Sequence, residues 1–362
     1  MIYSIFADKD TTIYNNYKKM NTGLDEIIEL RKSFYRIWEG TIAETFTTES
    51  ALSRILMKFD ITSISESIAA GTITTPSFYL KLRTATAEKI GLTYTASVHP
   101  VSQSWDMGTG KKASSPIIVN GASWNFNATG SAWSGSVSVP VGGATWHTQS
   151  AYTATKEFSY ETTDLTINVS NIVNAWISGA VVNEGFIIKY PDAAETDVKE
   201  YGVIKFFSRD THTIYPPTLE VRWDDSAYST GSLTALSSTD LDDMVFTVNG
   251  LKENYTLTEK PKIRMFARER FPVKTYVTSS RFITSKYLPS SSYYSIKDAH
   301  TEEVVIPFDT GSTKISCDTT GNYLNIWTSG LQPERYYRML FKVVDGTREQ
   351  IIDKNFIFKI VR

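Results

Sequence analysis

Apolar and polar residues alternate with period two along most of this chain, which leaves little room for any fold but a β one. In Ile55-Leu56-Met57-Lys58-Phe59 one face carries Ile55, Met57 and Phe59. In Phe78-Tyr79-Leu80-Lys81-Leu82-Arg83 one face carries Phe78, Leu80 and Leu82, while Lys81 and Arg83 point the other way. Both read as strands with one buried face. The same pattern recurs at Leu165–Val169, Val203–Phe207 and Leu219–Trp223, with turn formers such as Tyr215-Pro216-Pro217 and Gly142-Gly143 between strands. The 20 Tyr and 18 Phe among 362 residues suit such half-buried pleated surfaces.

Two segments argue for helix. Ser170–Trp176 sets Ile172, Val173 and Trp176 at helical spacing, with Ser170 placed to cap the start and Gly179 to end it. Leu24–Trp38 carries a helical stripe through Leu24, Ile27, Ile28, Arg31 and Phe34, yet Glu26–Arg31 reads equally well as a strand, and periodicity leaves both open. Between Trp105 and Trp146 the texture turns to Gly, Ser and Ala and holds four of the eight Trp: Trp105, Trp124, Trp133 and Trp146. This is a long loop region or a set of short strands. The polar stretch Asp224–Ser232 follows the strand ending at Trp223 and marks the main boundary. Beyond it Met244–Val248, Lys262–Ala267, Lys274–Val277, Val304–Phe308, Tyr323–Trp327, Tyr337–Val344 and Asn355–Val361 are strand-like. The expected organisation is a β-sandwich over 1–223, a small β domain over 224–300 and a further β part over 301–362, the last two separate or joined.

With 37 Lys+Arg against 39 Asp+Glu, the chain carries no electrostatic footprint for nucleic acid or an anionic membrane. No run nears the ~18 apolar residues of a membrane-spanning helix, and the first ten residues do not read as a secretion signal. A lone Cys317 gives no intrachain disulfide and fits synthesis in a reducing compartment.

Several stretches before residue 224 resemble the DNRLRE-type β-sandwich domain, a jelly-roll-like module of surface, carbohydrate-associated and phage proteins. They are Asp8–Ile13, Asn21-Thr22-Gly23-Leu24, Ser53–Ile61, Asn168–Trp176 leading into Asn183–Lys189, and Phe206–Asp210 leading into Tyr215–Trp223. In the last third, Leu331-Gln332-Pro333-Glu334-Arg335-Tyr336-Tyr337, followed by Met339, Phe341 and Val343 on one face, resembles the turn before strand F of fibronectin type III-like sandwiches. Its physical reading is a tyrosine corner, with the Tyr337 hydroxyl bonded back to the turn. The fold class is therefore all-β: an N-terminal jelly-roll-like sandwich followed by one or two small Ig/fibronectin-like sandwiches.

The whole arrangement is similar to virion structural proteins of contractile-tailed phages, especially those of marine cyanobacteria. The resemblance implies a non-enzymatic virion component made in the host cytoplasm, a tail, neck or baseplate accessory protein. Its implied partners are other virion proteins and further copies of itself.

Residues that could carry chemistry are sparse. His99, His147, His212 and His300 lack metal-ligand spacing, and Gly108-Thr109-Gly110-Lys111-Lys112 lacks the rest of a P-loop and reads as a basic loop tip. Asp8, Asp10 and Asp60 could form an oxygen cage for Ca²⁺, but Asp at strand ends is ordinarily a turn former. Adjacent Asp224-Asp225 and Asp242-Asp243 do not converge as an acid and base pair. The Arg264–Arg270 stripe could meet an acidic subunit or be an exposed strand face. No catalytic, cofactor-binding or metal residue is assigned, and no cofactor is expected. The Trp cluster holds the most functional content: core covering, subunit interface, or stacking platform for a glycan. The alternative to a structural part is accordingly a carbohydrate-binding or host-adhesion module, whose rings should lie exposed where a connector would bury them.

Overall fold

The computed structural model describes residues 1–38, 46–134, 142–272 and 285–362. The strand expected at Lys274–Val277 lies outside them. The chain divides into two compact units, one of Ile5–Ala70 with Ser77–Glu220, the other of Met1–Ser4, Gly71–Pro76 and Val221–Arg362. Both are all-β.

The strands up to residue 222 are β1 (Ile2–Phe6), β2 (Lys9–Tyr14), β3 (Ile27–Trp38), β4 (Phe46–Lys58), β5 (Ser77–Leu82), β6 (Thr84–Glu88), β7 (Thr93–Pro100), β8 (Phe126–Ala128), β9 (Ser131–Ala132), β10 (Ala154–Ser159), β11 (Leu165–Asn168), β12 (Phe186–Lys189), β13 (Gly202–Phe207) and β14 (Thr218–Arg222). The division of the chain falls inside β1 and β14. A large sheet runs β10-β7-β12-β4-β3-β13-β6, with β2 also on β4, and a smaller one runs β1-β14-β5-β11. β4 organises the large sheet. Its second half pairs with β2 from Lys9↔Lys58 to Tyr14↔Ser53, and its first half with β3 from Arg31↔Ser53 to Trp38↔Phe46.

The ambiguous segment is thus strand β3. Ile28, Leu30 and Lys32 alternate into the interior, and neighbours on both sides supply the ladder bonds a helix would have made internally. β4 departs from the expected single buried face: Ile55, Leu56 and Met57 are all fully buried. A strand flanked by neighbours and covered on both faces reads as a continuous apolar run, and what covers the second face is described below.

Helices are three and short: α1 (Thr62–Ala69), α2 (Ser170–Ile177) and α3 (Asp192–Thr196) among the described residues. α2 matches the expected helix and buries Ile172, Val173 and Trp176, and Gly179 takes the left-handed conformation just beyond it. The cap differs from expectation. Ser170 Oγ accepts a bond from the Phe78 backbone N–H at 2.9 Å, while Asn168 Oδ1 accepts from Ser170 N–H at 3.0 Å. α1 is introduced by Asp60, whose carboxylate accepts from the Thr62 N–H (2.9 Å) and hydroxyl (2.6 Å).

The other unit holds β15 (Met244–Asn249), β16 (Asn254–Thr256), β17 (Lys262–Glu269), β18 (Ser292–Asp298), β19 (Val304–Ile306), β20 (Ser316–Asp318), β21 (Gly321–Asn325), β22 (Arg335–Asp345) and β23 (Arg348–Val361). They form the sheets β15-β17-β21-β20 and β16-β23-β22-β18-β19. Phe246, Ile263 and Met265 from the first sheet meet Tyr294, Met339, Phe341 and Phe358 from the second in one core. The Phe246 and Phe341 rings lie 5.0 Å apart.

The tyrosine corner is present. Tyr337 is 1% exposed, and its hydroxyl donates to the Gln332 carbonyl at 3.0 Å. Tyr337→Phe keeps the ring and removes the hydroxyl's bond, so an expected loss of about 1 kcal/mol in urea unfolding checks the bond. A change indistinguishable from zero would mean that the ring alone holds the turn.

Candidate functional site

The Trp-rich excursion leaves the large sheet after β7 and returns at Trp146, which forms a bridge with Val101. Its four indoles turn inward: Trp105 is 1% exposed, Trp124 0%, Trp133 7% and Trp146 6%. They pack on Ile13, Leu52, Leu56 and Ile187, the second face of β2, β4 and β12. Two of the indole N–H groups bond to backbone carbonyls, Trp105 donating to Glu184 and Trp133 to Ser123, both at 2.9 Å. Rings so placed offer no face to a sugar.

Beneath them lies a knot of buried charge. Arg54 on β4 grips Glu195 of α3 with two bonds, Nε to Oε1 at 3.0 Å and Nη2 to Oε2 at 2.6 Å. Its third nitrogen, Nη1, donates to the Gly143 carbonyl at 2.7 Å. The guanidinium lies between the rings of Trp124 (4.8 Å) and Trp146 (5.0 Å). Lys189 on β12 adds a second cation 3.2 Å from Glu195 and also holds Asp192 at 2.6 Å. Arg54, Glu195 and Lys189 are essentially inaccessible to water. His99 sits beside them; burial, and then the Lys189 charge, push its imidazole down to about 4. The arrangement joins excursion, sheet and helix, and its chemistry is that of a fastening.

The remaining sequence candidates are dispersed. Asp60 introduces α1, Asp8 is exposed and Asp10 is buried elsewhere, so the Ca²⁺ cage does not assemble. Among the described residues no group of three His, Cys, Asp or Glu side chains could hold a metal ion. His147 packs on Tyr152 and His300 on Tyr336. The expected basic loop tip is engaged: Lys111 pairs with Glu26 at 2.6 Å and Lys112 with Glu29 at 2.8 Å, while Gly110 N–H donates to Asn21 Oδ1. The basic stripe is also occupied, with Arg264 holding Asp318 through two bonds and keeping that carboxyl far below its usual range. Asp224 bonds Ser226, and Asp225 pairs with the Met1 ammonium. Cys317 is buried, which pushes its thiol up. No described helix is long and apolar enough to cross a membrane.

Asp10 shows an electrostatic effect that the sequence hides. The residue is 1% exposed, and its Oδ2 accepts one bond from the Arg209 N–H at 2.8 Å. Burial outweighs that bond and, with the Asp210 charge adding to it, raises the carboxyl from 3.8 to about 7. Between those two values the folded chain keeps a proton that the unfolded chain has lost. Raising the pH through this window therefore costs stability, on the order of 4 kcal/mol once above 7. Asp10→Asn is expected to remove this component, so that it exceeds the wild type in urea unfolding at pH 8 and converges with it near pH 4. Parallel pH profiles for the two proteins would refute the assignment.

The face of the large sheet carries an open feature. A trough of about 610 Å³ has Arg31 and Ser33 of β3, Ala51 of β4 and Val203 of β13 along its floor. Small side chains at Ser33, Ala51 and Gly202 make it concave. Asn16, Tyr17, Phe34 and Tyr35 contribute to one side, and Glu88, Lys89 and Glu200 to the other. Asn16 and Tyr35 also border a second recess of about 200 Å³ that contains Lys18. No sequence signal announced this trough, because its residues come from five separated segments and only the register brings them together.

No family model matches the chain, and no curated protein is significantly similar to it.

Proposed function

We propose that the protein is a non-enzymatic structural component of a phage virion, a tail, neck or baseplate accessory rather than a capsid decoration. It acts through contacts of its β-sandwich surfaces with neighbouring virion proteins and with further copies of itself. The observation that carries this reading is the inward packing of the Trp-rich excursion. The segment richest in binding side chains covers β4 and clamps Arg54, which suits a part that must hold its shape under load. The ordered series of segments from Asp8 to Trp223, similar to the sandwich domain of such proteins, supports the same conclusion. Strands β6 and β10 end the large sheet and offer edges to which a neighbouring strand could add.

The test is twofold: the mass of the purified chain by sedimentation, and localisation of a labelled chain in intact particles by cryo-electron microscopy. A defined oligomer and density at the neck, tail or baseplate are expected. Absence from purified particles would defeat the reading.

A second reading, a carbohydrate-binding or host-adhesion module on the particle surface, draws its support from the trough. Its Tyr17 is 49% exposed, and polar groups of both hydrogen-bonding senses surround it.

A further inference from the structure

The trough contains a charge imbalance that its own residues do not resolve. Each of its acids has a partner on the protein. Glu49 accepts the Tyr35 hydroxyl at 2.9 Å, Glu88 pairs with Lys205 at 2.9 Å, and Glu200 faces Lys89 at 3.9 Å. Glu88 is held below the usual carboxylate range chiefly by Lys205, with Arg31 adding a smaller effect from further away. The cations are not all matched. Among the described residues Arg31 has neither an ion pair nor a side-chain hydrogen bond, and its Nε is shielded from water without a partner. Lys18, in the adjoining recess, likewise lacks an ion pair among the described residues. The terminal nitrogens of Arg31 are not among the shielded atoms, so they are left to take a charge-assisted bond from an acceptor arriving from outside.

The shape limits what that acceptor belongs to. Ser33, Ala51 and Gly202 leave room beside Arg31, the two recesses share Asn16 and Tyr35, and Tyr17 and Tyr35 line the trough. A carboxylate at Arg31 and apolar contact at Tyr17 and Tyr35 together match an extended peptide. We propose that this trough is the docking site for an extended segment of a neighbouring protein that carries an Asp or Glu side chain, seated on Arg31. The proposal rests on the reading of the chain as a subunit of an assembly and names the chemistry of one partner.

The experiment uses the full chain and a fluorescent, end-blocked peptide, Gly-Ala-Leu-Glu-Leu-Ala-Gly, against the same peptide with Gln at its centre, followed by anisotropy. The Glu peptide is expected to bind about tenfold more tightly or better, the size of a charge-assisted bond. Arg31→Gln is expected to abolish the preference, Arg31→Lys to keep part of it, and Lys156→Gln on β10 to leave it unchanged. The comparison of peptides on the unaltered chain does not depend on any variant folding. Equal affinity for the two peptides, no binding of the Glu peptide at millimolar concentration, or a preference that survives Arg31→Gln would overturn the proposal. So would maltoheptaose binding that ignores Arg31 and displaces the peptide, which would assign the trough to adhesion. An Arg31-dependent acid preference in a protein absent from particles would uphold the docking site while defeating the virion reading.

Discussion

Glu195→Gln is expected to destabilise the unit that contains it by about 3–5 kcal/mol, the cost of breaking a buried ion pair from one side. The substitution is nearly isosteric, so the loss is electrostatic: buried Arg54 would lose the carboxylate that it grips, and buried Lys189 would keep only the largely exposed Asp192. Against a total stability of 5–15 kcal/mol typical of a domain, this approaches unfolding, and a melting shift of roughly 10 °C is expected for a unit of this size. Arg54→Met/Lys189→Met/Glu195→Leu removes all three charges and should recover much of the loss, because the pair's Coulomb energy largely repays its own desolvation. Urea and thermal unfolding followed by circular dichroism decide the matter. A loss under about 1 kcal/mol for Glu195→Gln, the size of an exposed pair, would mean that water reaches the knot.

Gly143→Ala is expected to destabilise the protein by well over the backbone cost of a left-handed alanine. Gly143 has φ of +82°, and an added Cβ would lie 2.4 Å from Arg54 Nη1 and 2.8 Å from Trp124 Cζ2. Gly130 provides the control, with φ of +72° and nothing within 4 Å of its would-be Cβ. Both alanines bear the left-handed backbone cost of about 1–2 kcal/mol. Only Gly143→Ala must also displace a guanidinium and an indole that have nowhere to go, at about 1–3 kcal/mol more. The difference between their urea midpoints isolates the steric part. Equal midpoints would show that the Arg54 cradle yields.

What the sequence revealed and what it concealed divide along physical lines. Alternation at Phe78–Leu82 announced β5 because its buried and exposed positions differ in polarity. β3 was ambiguous because one inward position is a lysine: Lys32 is fully buried yet satisfied by the Asp197 side chain at 2.5 Å and the Asp197 carbonyl at 2.6 Å. Polarity cannot predict a buried cation whose partner lies 165 residues away. The corner at Tyr337 was legible because its partner, Gln332, is five residues distant. Arg54, Glu195 and Gly143 carried no such clue, since each is ordinary in its own segment. The trough was equally invisible, because Arg31 acquires its meaning only from what β4, β6 and β13 do not supply. Of the residues that sequence reasoning singled out for binding, the four Trp are brought together, but into the core.

The distribution of indoles between the two units has a practical consequence. Trp38, Trp105, Trp124, Trp133, Trp146 and Trp176 belong to one unit, and only Trp223 and Trp327 to the other. Intrinsic fluorescence is therefore a built-in gauge weighted towards a single half of the molecule. An early shift of emission to longer wavelength would mark water entering beneath the Gly/Ser-rich cover, whereas total loss of strand signal follows both halves. A gap between the two readouts on heating would measure, without any label, how independently the halves melt.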